Sequence, residues 1–376
     1  MTRSNWLFSK YYDLSWLFVP VWLTWAVAFA LPESVLKTPI SAWVWVVFVL
    51  GIDVSHVWST LFRTYLDREE YANHRRLLIW SPIVAFLLSA VVASVSIDLF
   101  WRCLAYVAVF HFVKQQYGFT RIYKAKGADF GKKLLSDNMI IYISMLYPVL
   151  YWHLDAGRDF EWFVAGDFIS YGLSSSTLWL VKWIGSAMYF LLLIAWLIEE
   201  LMRSRKNQNN SLPIGKVLWV LTTAGNWYIG IVYFNSDLVF TITNVVAHGI
   251  PYMALVVFYQ NEKNLLRKKT NFVGKRMKIA FGVIFGALLF ALGEEFLWDR
   301  LVYQELGGFF HQLINLPFPE INDTMKILAL ALLSVPQITH YIVDGFIWKS
   351  NAKNPYLKPA LFGSGGIHSK ENKIEA

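Results

Sequence analysis

About ten stretches of roughly twenty predominantly apolar residues divide this 376-residue chain, and nothing else in it restricts the fold so far. A bilayer core about 30 Å thick needs about 20 apolar residues of helix to cross it, and in lipid each span must satisfy its own backbone. The stretches lie at 14–31, 42–66, 77–97, 99–123, 138–154, 177–201, 214–234, 238–260, 279–298 and 325–348. The expected fold is an all-α polytopic transmembrane helix bundle of about ten spans. It is expected to form one domain over residues 1–360, with a flexible cytosolic tail at 361–376. Only 16% of the residues are charged, against about a quarter in soluble domains, which sets the chain outside the soluble class. Cys103 is the single cysteine, so neither a disulfide scaffold nor an iron–sulfur cluster is available. No cleavable leader is visible in the first thirteen residues, so the first span is expected to be retained.

Loop charges give the orientation. Basic clusters occur at Arg121–Lys133, at Arg203–Lys206, at Lys263–Lys278 and at Lys349–Lys358. The intervening loops are acidic or poor in charge: Asp98, then Asp155, Asp159, Glu161 and Asp167, then Asp237, then Glu305, Glu320 and Asp323. This alternation follows the positive-inside rule and places both termini in the cytoplasm, as in a bacterial inner membrane. The net charge of +8 then reflects orientation, and no nucleic-acid partner is expected. The aromatic, acidic segment 157–176 is expected to lie against the outer interface.

Ionisable residues within spans are costly and mark sites or pathways. Four stretches carry a histidine with a polar companion three or four residues away, hence on the same helix face. They are GIDVSHVW with Asp53 and His56, FHFVKQQYGF with His111 and Gln115, TNVVAHGIPY with Asn244 and His248, and QITHYIVDGFIW with His340 and Asp344. Asp53 and His111 each precede the first inner charge by ten residues, and His340 by nine, which sets them in one layer about 14–15 Å above the inner boundary. His248 lies fourteen residues before Glu262, a turn further out. Imidazole with carboxylate and no thiolate suits non-haem iron, with zinc or copper(II) as alternatives. The metal ligands expected are His56, His111, His248 and His340, with Asp53, Gln115, Asn244 and Asp344 as catalytic companions. Elsewhere, His74, His153 and His311 are expected at the surface, and Glu294, Glu295 and the Asp67/Glu69/Glu70 group as solvated carboxylates. Buried pairing of Asp53 and Asp344 with Lys114 or Arg102 is the plainer alternative.

FHFVKQQYGFTRIY, THYIVDGFIWK and DVSHVWSTLFRTYLD resemble signature stretches of a family of uncharacterised bacterial polytopic membrane proteins. More distantly, single histidines scattered over several spans are similar to the bacterial membrane oxygenases that cleave carotenoids. That resemblance implies an iron-ligand role for His56, His111, His248 and His340. The chain departs from it by adding Asp53, Asp344 and Gln115 and in its histidine spacing. No phosphate-binding loop, dinucleotide fingerprint, nucleophile elbow or His-rich desaturase box is present.

The expected function is a membrane-embedded, metal-dependent oxidoreductase or oxygenase acting on a membrane lipid or isoprenoid that arrives through the bilayer. A hydroxylase would also need an electron-donor protein. The alternatives are a proton- or metal-coupled transporter, a lipid-modifying transferase with a histidine general base, and a bis-histidine haem protein. Gly249, Pro251 and Pro336 fit broken transporter helices, whereas the single polar layer fits an enzyme.

Overall fold

A computed structural model describes residues 4–129, 131, 133–206, 212–268, 273–304, 309–314 and 316–363. Every element among the described residues is helical. The long ones are α1 (Lys10–Ala30), α2 (Ala42–Arg63), α3 (Arg68–Val95), α4 (Ile97–Gly127), α5 (Asp137–Leu154), α6 (Ser175–Arg205), α7 (Ile214–Trp227), α8 (Asp237–Arg267), α9 (Gly274–Tyr303) and α10 (Asp323–Ile347). Seven of these, all but α4, α5 and α7, are long and apolar enough to cross a membrane, and the chain is a multi-pass integral membrane protein. The most apolar window of α8 is 83% buried, against 22–39% in the other six, so α8 is an inner helix and the rest offer faces to lipid.

The stretches at 99–123, 138–154 and 214–234 are helical but fall short of that apolarity. In α4 and α7 several of the polar side chains are satisfied by protein. In α7, Trp22 Nε1 donates to Thr222 Oγ1 (3.0 Å), Trp25 Nε1 to Asn226 Oδ1 (3.1 Å), and Thr223 Oγ1 to Gln116 Oε1 (2.9 Å). In α4, Thr120 Oγ1 donates back to the Gln116 carbonyl (3.0 Å). A hydropathy window counts such groups as a cost that their partners remove.

The chain divides into two compact units, Ser41–Leu104 with Pro251–Ala376 and Thr2–Ile40 with Ala105–Ile250. In the first, α2 packs on α9 and α10, and α3 packs on α10. A side chain at Gly286 of α9 would meet the Phe62 ring at 2.5 Å, so glycine there permits the close approach of α2. The fully buried Glu70 forms an ion pair with Arg63 (2.5 Å) and accepts from Lys263 (2.8 Å) and Tyr259 (2.6 Å), while Arg63 Nη2 donates to the Ile347 carbonyl (2.9 Å) and Asn354 Oδ1 (3.2 Å). Asp67 caps α3 and pairs with Lys263 at 2.9 Å. The loop expected to be solvated thus ties α2, α3, α8 and the end of α10 together, because its charges are paired. His74 is buried, not exposed: α3 kinks there (φ −116°, ψ 17°) and its Nδ1 donates to the Glu70 carbonyl. Glu294 is likewise no solvated carboxylate, since the indoles of Trp58 (2.5 Å) and Trp298 (3.2 Å) donate to it. His311 is half-buried and stacks on Phe318.

In the second unit α5 packs between α6 and α7, and α1 packs on α7. The first turns of α5 and α7 and the last turns of α6 meet in a charge cluster: Lys133 and Lys216 each bond Asp129, Asp137 and Glu200, with Lys124 and Arg203 at its edge. Burial alone would raise Asp129 and Asp137, but Lys216 and Lys133 outweigh it and hold both below the usual carboxylate range. Burial would lower Lys133, yet Asp137, Asp129 and Glu200 raise it instead. In the segment 157–176, Phe160 and Phe168 pack on Trp152, and Arg158 Nη1 donates to the Ile231 (2.8 Å) and Phe234 (3.0 Å) carbonyls where α7 ends. His153, expected at the surface, is half-buried between the Val149 carbonyl and the Tyr106 hydroxyl, 2.7 Å from each. Residues Leu357–Phe362 form a short helix with Leu361 buried, and the tail beyond residue 363 lies outside the described residues.

Candidate functional site

The four histidines expected within spans are all buried, His56 at 2%, His111 at 5%, His248 at 0% and His340 at 1% exposure, and they fall into two pairs. In the first unit the rings of His56 and His340 stand 5.0 Å apart, edge to face. His56 begins the last turns of α2, just beyond a π-helical stretch at Trp45–Val54 that contains Asp53. Asp53 Oδ1 reaches 3.5 Å from His56 Nδ1. On α10, Asp344 Oδ1 stands 3.9 Å from His340 Nδ1, too far for a hydrogen bond. The link between them runs through two residues that the sequence did not single out. Thr60 Oγ1 lies 2.7 Å from His340 Nδ1 and 2.8 Å from the Tyr252 hydroxyl, which donates to Asp344 Oδ1 at 2.6 Å. The Tyr252 ring also packs edge to face against both imidazoles.

In the second unit the His111 and His248 rings stand 5.1 Å apart at 80°, and Phe112 stacks on the His248 ring. Pro251 has no N–H, so the carbonyl of Ala247 loses its helical partner. Gln116 Nε2 donates to it at 3.2 Å, and Gln115 Nε2 donates to the His248 carbonyl at 2.9 Å. The tandem glutamines of α4 therefore hold the weakened turn of α8 that carries His248. Asn244 Nδ2 turns back to the Phe240 carbonyl (2.9 Å) and does not reach the His248 ring through that bond. Gln115 Oε1 and Asn244 Oδ1 are buried acceptors without a hydrogen-bond partner. Lys114, considered from sequence as a carboxylate partner, is exposed and lies over the Tyr117 ring.

The structure buries the four histidines named from sequence and sets Asp53, Asp344 and Gln115 near them, and it adds Thr60 and Tyr252, which the sequence did not single out. A threonine one turn after His56 and a tyrosine one turn after His248 were the available signals. Each unit presents two buried imidazoles, a donor type suited to a borderline metal ion. Comparison with known protein families, with curated proteins and with solved structures finds no match to this chain.

Proposed function

We propose that the chain is a membrane-embedded, metal-dependent oxidoreductase, an oxygenase using non-haem iron on a lipid-soluble substrate such as an isoprenoid or acyl chain. His56, His111, His248 and His340 are its metal ligands. In this reading about ten helices cross a bacterial inner membrane and both termini are cytoplasmic.

The observation that carries the proposal is the pairing of buried histidines, each pair braced by polar side chains. His248 and Tyr252 stand one turn apart on α8, and Tyr252 contacts both His56 and His340, so a single inner helix carries one ligand and the brace of two others. The unpartnered oxygens of Gln115 and Asn244 suit the same site, since a buried acceptor without a donor is costly. Iron held by neutral imidazoles with open positions supplies dioxygen activation. The chain's own residues do the rest. Phe112 restricts rotation of the His248 ring by stacking, Gln115 and Gln116 hold its backbone, and Tyr252 with Asp344 orients the other pair. The surrounding apolar spans admit a substrate from lipid and exclude bulk water.

A transporter is the second reading, favoured by the proline break in α8 beside His248. The glutamine brace across that break argues for a fixed site. Incubation of the purified protein with a polyene isoprenoid under ¹⁸O₂ separates the two. The oxygenase reading predicts product carrying the heavy isotope. Unchanged substrate, with proton or metal flux in sealed vesicles, contradicts it.

A further inference from the structure

The geometry points to Thr60 and Tyr252 as positioning residues that fix the tautomer of His340, an assignment that rests on the reading of His340 as a metal ligand. Four polar groups lie in a line within the first unit: Asp344, Tyr252, Thr60 and His340, with successive separations of 2.6, 2.8 and 2.7 Å. Asp344 as a carboxylate only accepts, so the tyrosine proton points to it. The Tyr252 oxygen must then accept across the 2.8 Å contact, which assigns the Thr60 proton to that bond. Thr60 Oγ1 has spent its single proton and can only accept from His340. The hydrogen at this imidazole is therefore on Nδ1, and the lone pair is on Nε2. The opposite assignment at Thr60 would leave two lone pairs facing each other across the Tyr252 contact.

A neutral imidazole binds a metal through the nitrogen that lacks the proton, and the partner of the other nitrogen decides which one that is. The line of bonds thus commits His340 to Nε2 and turns the ring toward it. It also explains the 3.9 Å gap between His340 and Asp344: the carboxylate acts through two hydroxyls, and the imidazole keeps its own proton. Tyr252 has a second task, since its ring packs against both His56 and His340 and limits their rotation.

The test compares wild type with Thr60→Val, Thr60→Ser and Tyr252→Phe, all purified in detergent with thermal unfolding as the check on folding. Iron(II) affinity is read by competition with a chromophoric chelator. Ring-nitrogen shifts are read by ¹⁵N NMR on histidine-labelled, metal-stripped protein, with His340 assigned by its loss in His340→Ala. The valine and phenylalanine variants should bind iron roughly 10–100-fold more weakly, as for other removed partners of ligating histidines, and Thr60→Ser should stay close to wild type. Wild-type His340 should show a protonated Nδ1 and a bare Nε2. A protonated Nε2 in wild type, or wild-type iron affinity in both Thr60→Val and Tyr252→Phe, overturns the assignment. Absence of iron binding by wild type would instead contradict the metal reading, while the nitrogen shifts still decide the tautomer.

Discussion

Gln115 and Asn244 show how a residue of the right type can be found from spacing while its task is not. An i+4 amide beside a histidine suggests a bond to the ring, yet Gln115 donates to the His248 backbone and Asn244 to the Phe240 carbonyl. Pro251 frees the Ala247 carbonyl, which Gln116 satisfies, and Gln115 beside it donates one carbonyl further along, while Asn244 bonds back within its own helix turn. Gln115→Ala should therefore weaken iron binding by roughly tenfold, since bracing partners of metal ligands commonly matter at that level. Gln116→Ala, at a residue that bonds both Ala247 and Thr223, should lower the thermal midpoint as well. Chelator competition and thermal unfolding on both variants check this; wild-type values for both would remove the bracing role. The four histidines were legible because a buried imidazole in a span is rare. Thr60 and Tyr252 were not, since neither residue type is unusual in a membrane helix and their bond to each other joins positions 192 apart.

At the scale of elements, the sequence showed where the helices lie but misjudged what several polar residues do at their ends. Lysines near 133 read as a cytoplasmic loop signal, and Lys216 carried no signal at all. Together they neutralise Asp129, Asp137 and Glu200 and join the ends of α5, α6 and α7. Removing one partner leaves buried charge uncompensated, so Asp137→Asn should cost roughly 3–5 kcal/mol of stability. The pH dependence has a definite sign. Asp129 and Asp137 are lowered on folding, so their contribution is complete above the unfolded value near 3.9 and is lost as pH falls through the folded values. Lys133 is raised, so its contribution is complete below about 10.4 and is lost only as pH rises through the folded value. Thermal midpoints in detergent should form a plateau between these limits and decline below about pH 4. Asp137→Asn should flatten that acid decline; an unchanged profile would contradict the role given to the cluster. The Glu70 network follows the same logic: its charges looked like a solvated loop because Lys263, which pairs with Glu70, lies 193 residues along the chain.

For the whole molecule, the membrane class was legible from the apolar stretches alone, and seven helices meet the requirement for crossing. The other three expected spans are less apolar, and in α4 and α7 protein partners satisfy polar side chains that a linear reading charges to the lipid. Orientation has its own test. With Cys103 replaced by serine, a cysteine placed at Asp159 should react with a membrane-impermeant thiol reagent from outside the cell, and one placed at Lys126 only after the membrane is opened. Reaction of both from the same side would contradict the alternating topology. The central claim is that the buried histidines are metal ligands. The most direct measurement is elemental analysis of detergent-purified wild type beside His340→Ala and His111→Ala, one variant from each pair, with a visible spectrum on each. The account predicts bound iron in wild type, no haem band, and less iron in both variants while the proteins remain folded. Wild type without metal, or iron retained in full by either variant, would contradict it.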